Sequence, residues 1–453
     1  GIVRFPSRVV EHFRALVPPT FTFHGRDAAF DRTIPDDAPV IATASSAPNV
    51  IDPHTGEERR GLSADIARIA HLVNELPGFD VFSVSTLADD APAGQFSLSR
   101  FYPALKNTLK PVRTSVTGER EARQIMKLGE LIAGGRQAYR ERPFITHGYC
   151  SIVSPLVMDR DSTEMVMFYA ENQIPAYGAI APIGGLCAPL SLTGMLAMTN
   201  AEWLAVAVLA QMSRPGTPLL AIFLPVVADM RTGAYAAGGI ETGIMDMALS
   251  QMARFYGVPS GGYVGQTNAK AGDAQAGYEK GMTSLAGVLG GSGLLVMGGL
   301  LDALMTFDYG QAVIDNEIAL MLKRLARGVE LGAGELALEA IAEVGPGGMF
   351  IGHPHTIERM RTGAFLPQLA ERASRQAWLE KGGLDTHARA LGRVREILSE
   401  DNPAAFSPEL DGRVRAAFAG LVAGSSTLPE GWQRSSGEPA RRQRRRRGRR
   451  GGK

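Results

Sequence analysis

Between residues 63 and 356 the sequence runs through one pattern eight times: a short apolar stretch, a turn, and a helix-length segment with an apolar stripe. Short apolar runs bounded by Gly and Pro read as buried strands. They fall at 79–84, 112–116, 144–149, 174–180, 219–227, 262–267, 293–297 and 349–351. The helical stripes are Ile66, Ile69, Ala70 and Val73; Ile244, Met247, Ala248 and Phe255; Tyr278, Met282, Leu285 and Leu289; and Ile314, Ile318, Met321 and Leu325. Each stripe predicts a core-facing side. Asp273 is placed to cap the third of these helices, and Asp308 with Gln311 three residues on the fourth. Strand–helix alternation with near-continuous apolar strands predicts an α/β chain folded as a (β/α)8 TIM barrel. An open doubly wound sheet is the alternative that strand counting leaves.

The remaining segments are additions. Residues 1–60 read as an N-terminal appendage, 61–356 as the barrel, 357–433 as C-terminal helices packed on it, and 434–453 as a disordered Arg-rich tail. The formal charge of +1 hides an uneven distribution. Nine of the 47 Lys/Arg lie in 439–453, leaving 38 against 46 acids, so the body is near −8. Such a body predicts no nucleic-acid partner, because phosphate binding needs a basic face. Only Cys150 and Cys187 are present, too few for a disulfide framework, which fits a reducing, cytoplasmic setting. No leader is evident. The apolar stretch 183–212 is broken by Asn200 and Glu202 and reads as a buried helix rather than a membrane span.

A barrel of this kind does its chemistry at the C-terminal ends of its strands. The predicted exits carry His147, Tyr149, Tyr177, Asp229, Arg231, Tyr263, Gln266, Phe307, Tyr309, His353 and His355. Rings with polar neighbours suit a quaternary ammonium, whose charge is attracted by aromatic faces although it donates no hydrogen bond. Ordinary packing is the competing account for any one ring. His353 and His355 lie two apart without a third ligand at metal-site spacing, so no metal centre is expected. Asp229 and Arg231 read most simply as an ion pair. Gly290, Gly291 and Gly293 lack the Lys-Ser/Thr of a phosphate loop.

Four runs, DMRTG (229–233), DAQAGYEKG (273–281), VIDNEI (313–318) and EVGPGGMFIGHPHT (343–356), resemble the trimethylamine methyltransferase family, and TFTFHGRD (20–27) and IDPHTGEERRG (51–61) resemble its N-terminal part. The resemblance spans nearly the whole chain except the basic tail. It implies a barrel that moves a methyl group from a methylated amine to a corrinoid on a separate, cognate partner protein, with no tightly bound cofactor of its own. Trimethylamine enzymes of the family carry pyrrolysine near the end of the seventh strand. Here that region reads GGSGLLVMGGLLDALMTFD, with standard residues only. In this the chain is similar to glycine betaine:corrinoid methyltransferases, which implies a small quaternary amine as substrate.

On that reading Tyr149, Tyr263, Phe307, Tyr309 and Phe350 hold the cation. His355, which falls on the family's His-Thr position, or His353, together with Arg231, grips a substrate carboxylate. Asp229, Asp315, Glu317, Gly347 and Gly348 shape the mouth. The C-terminal helices are candidates to pack between subunits of a homo-oligomer. Alternatives are a trimethylamine-type methyltransferase, an acid/base barrel enzyme, for which Lys270 is the nearest exit lysine, and a non-catalytic betaine-binding or corrinoid-docking module.

Overall fold

The structure, a computed structural model, describes residues 1–116, 118–429 and 431–432. The expected Arg-rich tail lies outside the described residues.

Eight parallel strands form one sheet that closes on itself. In chain order the units are β1 (Val40–Thr43) and α1 (Ser63–Glu75), β2 (Phe82–Ser83) and α2 (Phe96–Asn107), β3 (Val112–Ser115) and α3 (Glu119–Ile132), and β4 (Ile145–Cys150) and α4 (Arg160–Asn172). They continue with β5 (Ala176–Ile180) and α5 (Leu192–Ser213), β6 (Leu219–Phe223) and α6 (Ile240–Tyr256), β7 (Ser260–Gly262) and α7 (Ala274–Gly290), and β8 (Leu294–Gly298) and α8 (Tyr309–Ala326). Neighbours follow chain order, β8 pairs with β1, and a parallel bridge between Ala42 and Val81 joins β1 to the lead-in of β2. This is the expected (β/α)8 barrel.

The strand count was right for a partly wrong reason. The first strand is Val40–Thr43, inside the segment read as an appendage, and its four residues are all buried, as a strand covered on both faces requires. The run 349–351 forms no strand. Gly345 and Gly347 ahead of it take φ of 65° and 78°, which turns the chain instead of extending it. Met349 and Ile351 are left mostly exposed.

The helix stripes divide in a similar way. On α1 the stripe is buried as expected. On α7 it is reversed: Tyr278, Met282, Leu285 and Leu289 face solvent, while Ala276, Lys280, Thr283, Ser284 and Gly287 face the barrel. Small residues are what the inner face accepts, because α7 lies tightly against its neighbours. A Cβ at Gly290 would meet the Met247 Cα at 2.7 Å, and one at Gly243 would meet the Ala286 Cβ at 2.9 Å. Asp273 caps α7 as expected, accepting from the backbone N–H of Gln275 and Ala276. Asp308 accepts from Gln311 N, but the Gln311 side chain turns to Asp315.

Helix α5 is long and apolar enough by composition to cross a membrane. Its place in the alternation makes it a barrel helix. Glu202, buried at its centre, accepts from Ser154 Oγ at 2.9 Å and Leu156 N at 2.8 Å. Helices α9 (Thr386–Ser399) and α10 (Pro408–Ala417) follow the barrel, with α9 packed on α8 and α1 and α10 on α3.

Candidate active site

Strand β3 pairs only with β2 and β4, yet its Arg113 touches residues from two other parts of the barrel. The guanidinium carbon lies 4.1 Å from the centre of the Tyr177 ring on β5 and 5.8 Å from that of Tyr263, one residue beyond β7. Nη2 donates to the Tyr263 hydroxyl at 3.2 Å. Contacts across the sheet in this way must pass through the lumen, so Arg113 stands inside the barrel beneath the strand exits. Gly148 on β4 makes room for the Tyr177 ring that Arg113 lies over: a Cβ there would run into the Tyr177 hydroxyl and ring.

Arg113 is fully buried, and its Nε and Nη1 find no partner in the protein. Burial works against its charge, but Tyr177 and Tyr263 more than offset this, and the pKa moves up. Burial pushes Tyr177 up to about 12, so near neutrality it faces Arg113 as a neutral phenol. A buried cation without a carboxylate is expensive to keep, and it marks a place where an anion belongs.

A second guanidinium lies over the exits of β1 to β3. Arg100 of α2 donates to Ser46 Oγ at 2.8 Å, to Thr114 Oγ1 and to the Ser115 carbonyl at 3.4 Å, and it lies over the Phe96 ring. Burial pulls its pKa down to about 10, which leaves it charged near neutrality.

The exits of β7 and β8 are held by a lysine that sequence inspection passed over. Lys280 Nζ donates to the carbonyls of Gly265 (2.9 Å) and Met297 (3.1 Å) and pairs with Asp315 at 2.9 Å, both side chains being fully buried. Asp315 also accepts from Gly299 N, immediately after β8. The loop that follows puts Asp302, Ala303 and Leu304 in left-handed conformation in succession, with φ of 49°, 52° and 75°. Each such residue costs about 1–3 kcal/mol. Hydrogen bonds from Asp302 N to Ala269 O and from Ala303 N to Thr267 O hold the loop against the exit of β7.

The expected aromatic cage is not assembled. Tyr149 stacks on Tyr169 of α4 at 5.4 Å, beside His147, on the helix side of the barrel wall. Alternation along β4 put both on the same face, opposite to the lumen. Phe307 and Tyr309 form an edge-to-face pair at 5.2 Å near Trp432, where the Tyr309 hydroxyl donates to Asp65. Of the five proposed rings, Tyr263 alone reaches Arg113. The Arg231–Asp229 pair, 2.6 Å, lies exposed on a hairpin beyond β6, as its simplest reading required, and it does not approach Arg113. His353, His355, Phe350, Gly347 and Gly348 belong to a segment off the barrel; His353 pairs with Glu343 at 2.9 Å. Asp315 does support the exit of β8. Glu317 instead accepts from the N–H groups of Gln368, Leu369 and Ala370, anchoring the returning chain.

Arg113 could have been found from sequence. It is the one charge in the strand VRTSV, and alternation along a barrel strand sends every second side chain into the lumen. Two surface cavities, of about 230 and 560 Å3, lie elsewhere: one beside Pro143 and Pro175 at the strand entrances, the other between α8 and α9. Among the described residues no group of three or more His, Cys, Asp or Glu gathers as metal ligands.

Fold and site together define a (β/α)8-barrel protein whose unusual polar groups gather beneath and around the strand exits. The chain belongs to the trimethylamine methyltransferase family, whose model matches residues 1–423. It is 32% identical over 405 residues to a glycine betaine methyltransferase of Desulfitobacterium hafniense, covering 89% of this chain and 84% of the relative. It is 28% identical over 415 residues to a trimethylamine methyltransferase of the same species, covering 92% and 83%. The crystal structure of the monomethylamine methyltransferase of Methanosarcina barkeri shares the fold, with a TM-score of 0.52 at 14% identity over 93% of this chain and 82% of that one.

Proposed function

We propose that this chain transfers a methyl group from a betaine, a quaternary amine bearing a carboxylate, to the reduced cobalt of a corrinoid carried by a separate protein. The observation that carries the reading is Arg113, a lumen cation with two unpartnered nitrogens and no acid. A methylated cation without a carboxylate would meet only repulsion there, about 3 kcal/mol at 5 Å for an effective dielectric constant near 20. A zwitterion turns that repulsion into orientation. Its carboxylate accepts from Arg113 Nε and Nη1, and its ammonium is driven the other way, so the N-methyl groups face the strand exits. Tyr263 stands beside that path and presents a ring to the cation.

Methyl transfer then breaks one C–N bond, the electron pair stays on nitrogen as a neutral tertiary amine leaves, and the carbon bonds to cobalt(I) supplied by the partner. The chain's task is to hold the methyl in line and keep water out. Loops at the exits of β4, β5 and β6 expose Val153, Leu156, Val157, Leu186, Leu190 and Met230, an apolar rim suited to a docking partner. The 32% identical glycine betaine methyltransferase supports the betaine reading. The trimethylamine enzymes among the relatives favour a carboxylate-free substrate, which Arg113 disfavours.

Calorimetry with glycine betaine, tetramethylammonium and trimethylamine separates the two. Glycine betaine is expected to bind at least tenfold more tightly than either carboxylate-free amine. Equal or reversed affinities sink the betaine assignment.

A further inference from the structure

Helix α9 lies outside the barrel, yet one of its side chains reaches between two barrel segments. His387, in the first turn of α9, sets its imidazole in a slot made by two glycines. A Cβ at Gly272, in the loop between β7 and α7, would meet the ring Cδ2 at 2.7 Å. One at Gly310, in the first turn of α8, would meet Nε2 at 2.6 Å. Neither glycine has a left-handed φ, so it is the imidazole, and not the backbone, that keeps a side chain off both.

From that slot a short run of hydrogen bonds leads to the strand exits. His387 Nε2 bonds Asp308 Oδ1 at 2.9 Å, and Asp308 is buried. The backbone N–H of Asp308 donates to the carbonyl of Gly299, the residue after β8. The N–H of Gly299 donates in turn to Asp315 Oδ2, which Lys280 ties to the carbonyls of Gly265 and Met297. Gln311 closes the circuit, its N–H going to Asp308 and its side-chain amide to Asp315 Oδ1. Both polar groups of Gly299 are therefore held from the start of α8, and His387 steadies that start from outside. Without the imidazole, the buried Asp308 carboxylate keeps the Gln311 N–H but loses a donor. It must then turn or admit water, because a buried acceptor is costly to leave unpaired.

We propose that His387 is a positioning residue for the substrate site: from outside the barrel it fixes the exits of β7 and β8, and with them Tyr263, which backs Arg113. Tyr263 stands two residues before Gly265, whose carbonyl Lys280 holds. Asp302 and Ala303 donate to the carbonyls of Ala269 and Thr267. Residues 263–272 and 299–310 thus form one bonded unit, and the imidazole pins it at Gly272 on one side and at Asp308 and Gly310 on the other. Loosening the unit lets the Tyr263 ring leave Arg113, which weakens binding although no group that touches the ligand has been removed. The effect on affinity rests on the betaine reading; the clamp itself does not.

Hydrogen exchange of the ligand-free, full-length chain, read by mass spectrometry, tests the clamp. Calorimetry with glycine betaine well below the melting temperature tests its consequence. In His387→Leu the amides of 299–303 are expected to exchange at least about fivefold faster than in wild type, and those of 145–150 at the wild-type rate. Glycine betaine should bind about fivefold more weakly, the lower end of coupling between distant sites. His387→Gln, which returns a donor to Asp308, should recover most of both losses. Gly310→Ala keeps the imidazole but pushes it from its slot, and should reproduce the His387→Leu pattern even though alanine favours helix. Unchanged exchange at 299–303 in His387→Leu, or faster exchange spread equally to 145–150, overturns the proposal. So does faster exchange at 299–303 with undiminished betaine affinity, or a Gly310→Ala chain with wild-type exchange and affinity. If wild type itself does not bind glycine betaine, the substrate reading falls and the exchange rates alone decide the clamp.

Discussion

Replacing Arg113 with methionine separates a ligand-binding charge from a structural one. In the free chain the guanidinium is fully buried, donates to the Tyr263 hydroxyl, lies over the Tyr177 ring, and leaves Nε and Nη1 unpartnered. An apolar side chain of similar length fills the same space without the desolvation penalty. Stability is therefore expected to be unchanged or to rise by about 1–4 kcal/mol, as when other buried ionic groups are replaced by apolar ones. Binding should move the opposite way. Truncating one partner of a buried charge pair costs about 2–5 kcal/mol, roughly a 30- to 5,000-fold loss of affinity for glycine betaine. Tetramethylammonium, with no carboxylate to lose, should bind no worse and should gain from the removal of a like charge. The assay is a thermal melt paired with calorimetry on both ligands. Undiminished betaine affinity in Arg113→Met, or an equal loss for both ligands with a lower melting temperature, would refute the reasoning.

Three further outcomes follow from the surrounding structure. Lys280→Met leaves Asp315 buried and unpaired and should cost about 3–5 kcal/mol by chemical denaturation, with part recovered in the Lys280→Met/Asp315→Leu double variant. Ala303→Gly relieves a left-handed residue after β8; after the extra flexibility of unfolded glycine is counted it should stabilise by about 0.5–1 kcal/mol, and a destabilised variant contradicts the strain. His387 pairs with Asp308 at 2.9 Å, a hydrogen bond that raises the His387 pKa. A raised folded-state value gives stability that is complete below the unfolded pKa of about 6.5 and lost as pH climbs through the folded one. His387→Leu should thus destabilise by about 1–2 kcal/mol near pH 5.5 and progressively less toward pH 9; a constant deficit across that range argues against the ion pair.

The barrel was legible because buried parallel strands leave a local signature, and seven of the eight predicted runs overlap strands in the structure. The eighth was misplaced because an apolar triplet after glycines looks alike as a strand and as part of an exposed arm. Val40–Thr43, the true first strand, stood in a segment whose other short runs form small sheets outside the barrel. The helix stripes misled for a related reason. Periodicity shows that α7 has an apolar side but not which way it faces, and the glycine and alanine packing against α6 reversed it. Of the site, the ring-bearing exits were found but their directions were not. Tyr149 lies near the end of β4 and Tyr263 just beyond β7, yet one faces the helices and the other the lumen. Arg113 stands in the wall beneath the exits, within β3, where a single charge in a short apolar strand is a weak local signal.

The most direct measurement follows the methyl carbon itself. Glycine betaine labelled with carbon-13 in its N-methyl groups is incubated with the full chain and a reduced cobalt(I) corrinoid protein, and the products are read by NMR. The proposal predicts labelled methyl on cobalt and dimethylglycine in equal amounts, and none of either with Arg113→Met at the same substrate concentration. Label that stays on glycine betaine with every corrinoid protein supplied, while trimethylamine is demethylated in its place, would contradict it.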